Sequence, residues 1–96
     1  AGLSAGMRAR ELGLSVVIVS KNLPTQAQTC MAQGGINATI SPKVDLSIDH
    51  QKHIDDTLAS AHGIADEEMV RIMCEKSTEA VSWLDSMGVP FSRVDG

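Results

Sequence analysis

Aromatic side chains are almost missing: the 96 residues hold one Trp, one Phe and no Tyr. A core must then be assembled from Leu, Ile, Val, Met and Ala, and in so short a chain it barely offsets the entropy of folding. The chain is therefore expected to be a piece of something larger, and an opening Ala1 in place of methionine agrees with that. Basic charge is scarce too. Eight Lys and Arg against twelve Asp and Glu give a net charge of −4, which argues against a nucleic-acid partner, since such proteins carry a basic footprint. The longest unbroken apolar run covers residues 16–19, far short of a membrane span. No charged-then-apolar leader supports a secretory route. The two cysteines, Cys30 and Cys74, are too far apart for a CxxC site and predict two free thiols in a reduced, intracellular protein. What remains is 43% hydrophobic and 21% charged, a globular composition and not a disordered one.

Along the chain, small and apolar Ala5, Met7, Ala9 and Leu12 recur near helical spacing over residues 3–12, and Gly13 suits the left-handed residue that ends a helix. Residues 15–20 read Ser-Val-Val-Ile-Val-Ser. An unalternating β-branched run of this kind predicts a strand covered on both faces of a parallel sheet. A helix leading into such a strand requires an earlier parallel partner, which would have to precede Ala1. The expected class is thus α/β. Residues 21–35 lack periodicity and end on the Gly34-Gly35 pair, which fits either a binding loop or a flexible surface loop.

Residues 36–40 are expected to form a short strand stopped by Ser41-Pro42. Three helices should follow. The first covers 47–61, with Asp45 or Ser47 at its start and Gly63 at its end. The second covers 67–76 behind an Asp66 cap, with Glu67 and Glu68 facing the positive helix start. The third begins at Ser77 or Thr78, buries Ala80, Leu84 and Met87, and stops at Gly88 and Pro90.

Few residues advertise chemistry. Gly2, just before a helix, stands where the last glycine of a dinucleotide-binding turn would let backbone amides approach a pyrophosphate. A lone glycine at a helix start is equally ordinary. Ser20 and Lys21 close the 15–20 run where an acidic residue usually meets the ribose; a hydroxyl still suits a ribose and an ammonium a phosphate, while a solvated strand end is the plain alternative. His50 and His53 share a helix face, but no cysteine lies at ligand spacing and no metal site is expected. Asp49, Asp55 and Asp56 read as a solvated acidic face, and His62 beside Gly63 suits a helix C-terminus. Neither cysteine has basic neighbours that would mark a reactive thiol.

Read in order, Ala1-Gly2, then Ser20-Lys21-Asn22-Leu23-Pro24-Thr25, then Ala32-Gln33-Gly34-Gly35-Ile36-Asn37-Ala38 resemble the flavoprotein subunits of succinate dehydrogenase and fumarate reductase. The resemblance continues through His53-Ile54-Asp55-Asp56-Thr57 and Gly88-Val89-Pro90-Phe91-Ser92-Arg93, and so covers essentially the whole chain. L-aspartate oxidase belongs to the same superfamily and shares the Ala-Gln-Gly-Gly string; the Pro-Thr pair and Pro-Phe-Ser-Arg favour the dicarboxylate enzymes.

The resemblance implies that residues 1–96 are part of a Rossmann-like FAD-binding domain, its first strand missing, followed by a helical segment. It places Gly2 at the pyrophosphate and Ser20, Lys21 and Asn22 along the ribose and phosphate. The loop from Thr25 to Gly35 would pass the isoalloxazine ring, with Thr25, Gln28, Thr29 and Ala32 beside it. Gln33, Gly34 and Gly35 would touch the ring largely through backbone. Glycine permits that approach where a Cβ would strike the ring, and polar loop groups would tune the flavin's electronics.

One position departs from the family pattern. A histidine bonded to the flavin in many members is replaced, four residues after Pro24, by Gln28. An amide lacks the imidazole nucleophile, so FAD is expected to bind non-covalently, which favours fumarate reduction or aspartate oxidation over succinate oxidation. The family's substrate-binding and proton-donating residues match nothing here, and Arg93 reads as structural or near-site. The whole enzyme would exchange hydride between flavin N5 and a C4 dicarboxylate and pass electrons through an iron–sulfur subunit. A membrane anchor would hold that complex at the cytoplasmic inner face of the membrane. L-aspartate oxidase is the rival enzyme, and a small helical interaction module the rival of another class. The isolated 96 residues are expected to be inactive and to fold poorly alone.

Overall fold

Asp45 and Asp66 each stand immediately before an apolar-periodic stretch, and each caps a helix. In the computed structural model, which describes residues 1–40 and 45–94, the Asp45 carboxylate accepts from the Ser47 N–H at 2.9 Å and that of Asp66 from the Met69 N–H at 3.0 Å. The helices they start are α3 (Leu46–Ser60) and α4 (Glu67–Ser86). Two others precede them: α1 (Gly2–Glu11) and the one-turn α2 (Gln28–Met31), the latter entered through a 3-10 turn at Pro24–Gln26. The chain forms two compact units, Ala1–Gly35 and Ile36–Gly96.

Helix ends follow the glycines. After α1, the Gly13 N–H bonds to the Arg10 carbonyl at 2.9 Å and the Leu14 N–H to that of Ala9 at 3.0 Å, with Gly13 at φ +81°. This paired closure requires a left-handed residue, where only glycine escapes a Cβ penalty. Gly88, at φ +91°, closes α4 in the same way through the Asp85 and Leu84 carbonyls. At the end of α3 it is His62 that adopts φ 50°, followed by Gly63 at φ +86°.

The fold-class expectation is overturned. Among the described residues there is no strand and no sheet, so neither an α/β class nor a Rossmann-like arrangement is present. Residues 14–20 are neither helix nor strand, and exposure alternates along them: Val16 37%, Val17 89%, Ile18 46%, Val19 92%. Val16 and Ile18 lean on α1 at Gly6, where an added Cβ would lie 3.3 Å from Val16 Cγ1 and 3.2 Å from Ile18 Cδ1. Covering on both faces, expected from the unalternating sequence, is therefore absent. A strand is defined by its ladder, and among the described residues no backbone hydrogen bond reaches 15–20. The strand expected at 36–40 is also missing, and its Ser41-Pro42 stop lies outside the described residues.

A second correction concerns α4, which runs unbroken through Ser77 and Thr78 where two helices were expected. Ser77 does not cap. Its hydroxyl donates back to the Cys74 carbonyl at 2.7 Å, a bond that satisfies a mid-helix serine without ending the helix.

α3 and α4 pack through Ile54, Val70 and Cys74, with Leu58 and Ala65 against them. Ile54 is 1% exposed and Cys74 0%. The ion pairs Arg8–Glu11, Lys52–Asp56 and Lys76–Glu79 are exposed pairs within single helices, each worth little. No helix among the described residues is long and apolar enough to cross a membrane.

The caps carry a testable share of stability. Asp66→Ala in the intact protein is expected to cost about 1 kcal/mol through the orphaned Met69 N–H, and Asp66→Asn far less. Denaturant melts of the two variants check this; equal midpoints would show that the cap contributes nothing.

Candidate cofactor site

The sequence-predicted site residues all fall within the first unit, and local geometry decides what each presents. α1 begins behind Ala1, which provides no side-chain cap, and its first turn holds no acidic residue. The first backbone bond back to the cap comes from Ala5, so the N–H groups of Gly2, Leu3 and Ser4 keep no intrahelical acceptor, and among the described residues no acidic side chain of the first turn offsets the helix dipole there. Gly2, with Ala5, Gly6 and residues 14–19, lines a cleft of about 480 Å³. Its own position is open, with nothing among the described residues within 4 Å of an added Cβ.

Ser20, Lys21 and Asn22 follow the extended run and are exposed. Thr25 lies in the 3-10 turn, and Gln28 and Thr29 open α2. The two short helices are joined by the Cys30 thiol, whose Sγ lies 3.7 Å from the Pro24 carbonyl oxygen. Pro24 at the first position of its turn supplies the fixed φ that starts it. Ala32 ends α2 and Gln33, Gly34 and Gly35 continue without regular structure, all exposed. Among the described residues, no atom lies within 4 Å of a Cβ added at Gly34 or Gly35. The result is a stretch of bare, accessible main chain. Among the described residues no side-chain hydrogen bond ties Ser20, Lys21, Asn22, Thr25, Gln28, Thr29 and Gln33 to one another, and all of them are exposed.

The second unit holds features the sequence did not announce. Thr39 is held by two α4 hydroxyls: its N–H reaches Ser77 Oγ at 3.4 Å, and its carbonyl accepts from the Thr78 hydroxyl. Because Thr78 spends its proton on that carbonyl, the Nε2 of His50, 3.1 Å away, donates to the Thr78 oxygen. His53 lies one turn on; its Nδ1 is buried without a partner among the described residues. It lines a cleft of about 740 Å³ with residues 36–40, Asp49, Lys52, Asp56, Thr57 and Ser60.

Among the described residues, each Lys and Arg of this unit is paired with a carboxylate. Lys52 binds Asp56 at 2.6 Å, and that hydrogen bond and charge, with Asp55 adding less, raise the ammonium above its ordinary pKa. The Ser47 hydroxyl and N–H hold the Asp45 carboxyl below its ordinary range. Arg93 pairs with Asp85 at 2.7 Å, leaving it tied to the end of α4. Both cysteines are free thiols, Cys30 exposed and Cys74 buried. Among the described residues no group of His, Cys, Asp and Glu side chains is arranged to hold a metal ion.

These residues fit a flavin dinucleotide. An uncapped helix start suits a pyrophosphate, and accessible glycine main chain suits a flat ring. The comparisons with known proteins point to the same group. The family profile described as an FAD binding domain matches residues 1–96. The chain is 34% identical over 95 residues to the mitochondrial succinate dehydrogenase [ubiquinone] flavoprotein subunit of Oryza sativa subsp. japonica, covering 99% of this chain and 15% of that one. It is 39% identical over 93 residues to the L-aspartate oxidase of Vibrio cholerae, covering 97% and 16%. Identity reaches 42% over 84 residues with L-aspartate oxidase 2 of Ralstonia nicotianae, covering 86% and 15%. The chain thus spans about one sixth of the length of these relatives. No solved structure matches. With the profile covering every residue and relatives on both enzyme branches, this chain belongs to the FAD-binding domain family of flavoprotein oxidoreductases.

Proposed function

We propose that these residues supply part of the FAD site of an oxidoreductase that acts on a C4 dicarboxylate, in the manner of the succinate dehydrogenase and fumarate reductase flavoproteins. The observation that carries the reading is open glycine main chain at Gly34 and Gly35 in a chain matched throughout by the FAD-binding profile. Bound FAD would supply two-electron chemistry, exchanging hydride at its N5 atom.

The residues divide the work by chemical type. The free N–H groups at the start of α1, beginning at Gly2, attract the pyrophosphate. Ser20 and Asn22 offer hydrogen bonds to the ribose, and Lys21 offers positive charge to the phosphates. Thr25, Gln28, Thr29 and Gln33 present polar groups to the ring system, and Ala32, Gly34 and Gly35 let the backbone approach it. No residue of this chain is assigned to substrate protonation. Electrons would pass to an iron–sulfur partner held by a membrane anchor at the cytoplasmic face.

Gln28 makes attachment non-covalent, because an amide nitrogen is not a nucleophile toward the flavin methyl carbon. Acid precipitation of the intact protein is therefore expected to release all flavin to the supernatant. Flavin fluorescence in the washed pellet would show a covalent link and overturn the assignment.

L-aspartate oxidation is the second reading, favoured by the higher identity to L-aspartate oxidases, 38–42% against 34%. Turnover of the intact protein with fumarate, succinate and L-aspartate separates the two. Activity with L-aspartate alone would replace the first reading by the second.

A further inference from the structure

We propose that Ser77 and Thr78 are positioning residues for the cofactor site: their hydroxyls hold both backbone groups of Thr39 and so fix the chain that leaves Gly34-Gly35. The inference rests on the flavin reading above.

Paired glycines have no side chain to pack and the most backbone freedom to lose, so the shape of this stretch must be imposed from its flanks. Upstream there is only the single turn of α2. Downstream, residues 36–40 form neither helix nor strand. Ile36, Ala38 and Ile40 are shared walls of two clefts: the one of about 740 Å³ along α3, and another of about 490 Å³ bounded by Val81, Asp85, Phe91 and Arg93. A segment with open space along two sides and no ladder has little packing to hold it. Among the described residues, the bonds to Ser77 and Thr78 are the only hydrogen bonds that reach the backbone of 33–40.

The clasp also has a fixed direction. Ser77 donates to Cys74 and accepts from the Thr39 N–H; Thr78 donates to the Thr39 carbonyl and accepts from His50. Every proton has one place, so the two hydroxyls present one acceptor and one donor four residues beyond Gly35. Ser77 is 9% exposed, which keeps water from substituting for its bond.

The test uses the intact protein, stripped of flavin and titrated with FAD. Ser77→Ala, Thr78→Val and the double variant are compared with Thr78→Ser, which keeps the hydroxyl. Each lost hydroxyl should weaken FAD by up to about tenfold, the equivalent of one hydrogen bond. The visible circular dichroism of any flavin still bound should change, and Thr78→Ser should restore wild-type values. A helix role alone would lower the melting temperature and leave that visible band unmoved. Wild-type affinity and an unchanged band in the double variant would overturn the proposal. Should Thr78→Val fail to fold, Ser77→Ala decides by the same two readings. A wild-type protein that takes up no FAD would instead refute the flavin reading itself.

Discussion

Truncating Ile54 to alanine is expected to destabilise the α3–α4 pair by about 2–5 kcal/mol, the largest loss expected for a single side chain among the described residues. Ile54 is 1% exposed and touches a core of few members, Val70 and Cys74 with Leu58 and Ala65 beside them. A large core can relax around a deletion, but among the described residues few neighbours are there to collapse into the gap. The transfer loss and the cavity cost would therefore both be felt. Ile54→Val removes one methylene and should cost only about 0.5–1.5 kcal/mol, so the pair calibrates the site. Denaturant melts of the intact protein, with amide exchange followed along α3 and α4, give the measurement. If Ile54→Ala and Ile54→Val proved equally mild, Ile54 would not be what joins these helices.

The same sparse core explains which parts of the fold were legible beforehand. Helix starts and stops depend on local chemistry, so Asp45, Asp66, Gly13 and Gly88 stand in the structure where their side chains or their lack of one predict. The strand at 15–20 was not local. Its β-branched residues favour extended backbone, and the alternating exposure of Val16 through Val19 is what extended chain produces, but a ladder needs a second segment. Ser77-Thr78 misled for the opposite reason. Both residue types favour caps, yet the apolar side of α4 continues across them and Ser77 bonds backward instead. Of the site, the glycine pair and the polar loop could be seen in the sequence because their chemistry is unusual there. The hold on Thr39 could not: it joins ordinary residues 38 and 39 positions apart, and neither spacing nor residue type marks such a pairing.

Gly35→Val, and likewise Gly34→Val, is expected to leave the flavin-free protein folded while weakening FAD by about fivefold to 150-fold. The contrast follows from two observations. Neither glycine has a left-handed φ, and among the described residues nothing lies within 4 Å of an added Cβ at either place. The polypeptide alone therefore has room for valine in its present backbone conformation. Removing glycine also narrows the unfolded ensemble, so the flavin-free variants should melt at the wild-type temperature or slightly above it. With FAD bound, the same branched side chain would occupy the space through which main chain meets the ring. Overpacking of that kind costs about 1–3 kcal/mol, the equivalent of about fivefold to 150-fold in affinity. Alanine should fall between glycine and valine. Fluorescence titration of the flavin-free intact protein reads the affinity, and calorimetry reads the fold. A valine variant that bound FAD as tightly as wild type would place this main chain away from the cofactor, whereas one that lost both fold and flavin together would show that the glycines serve the polypeptide first.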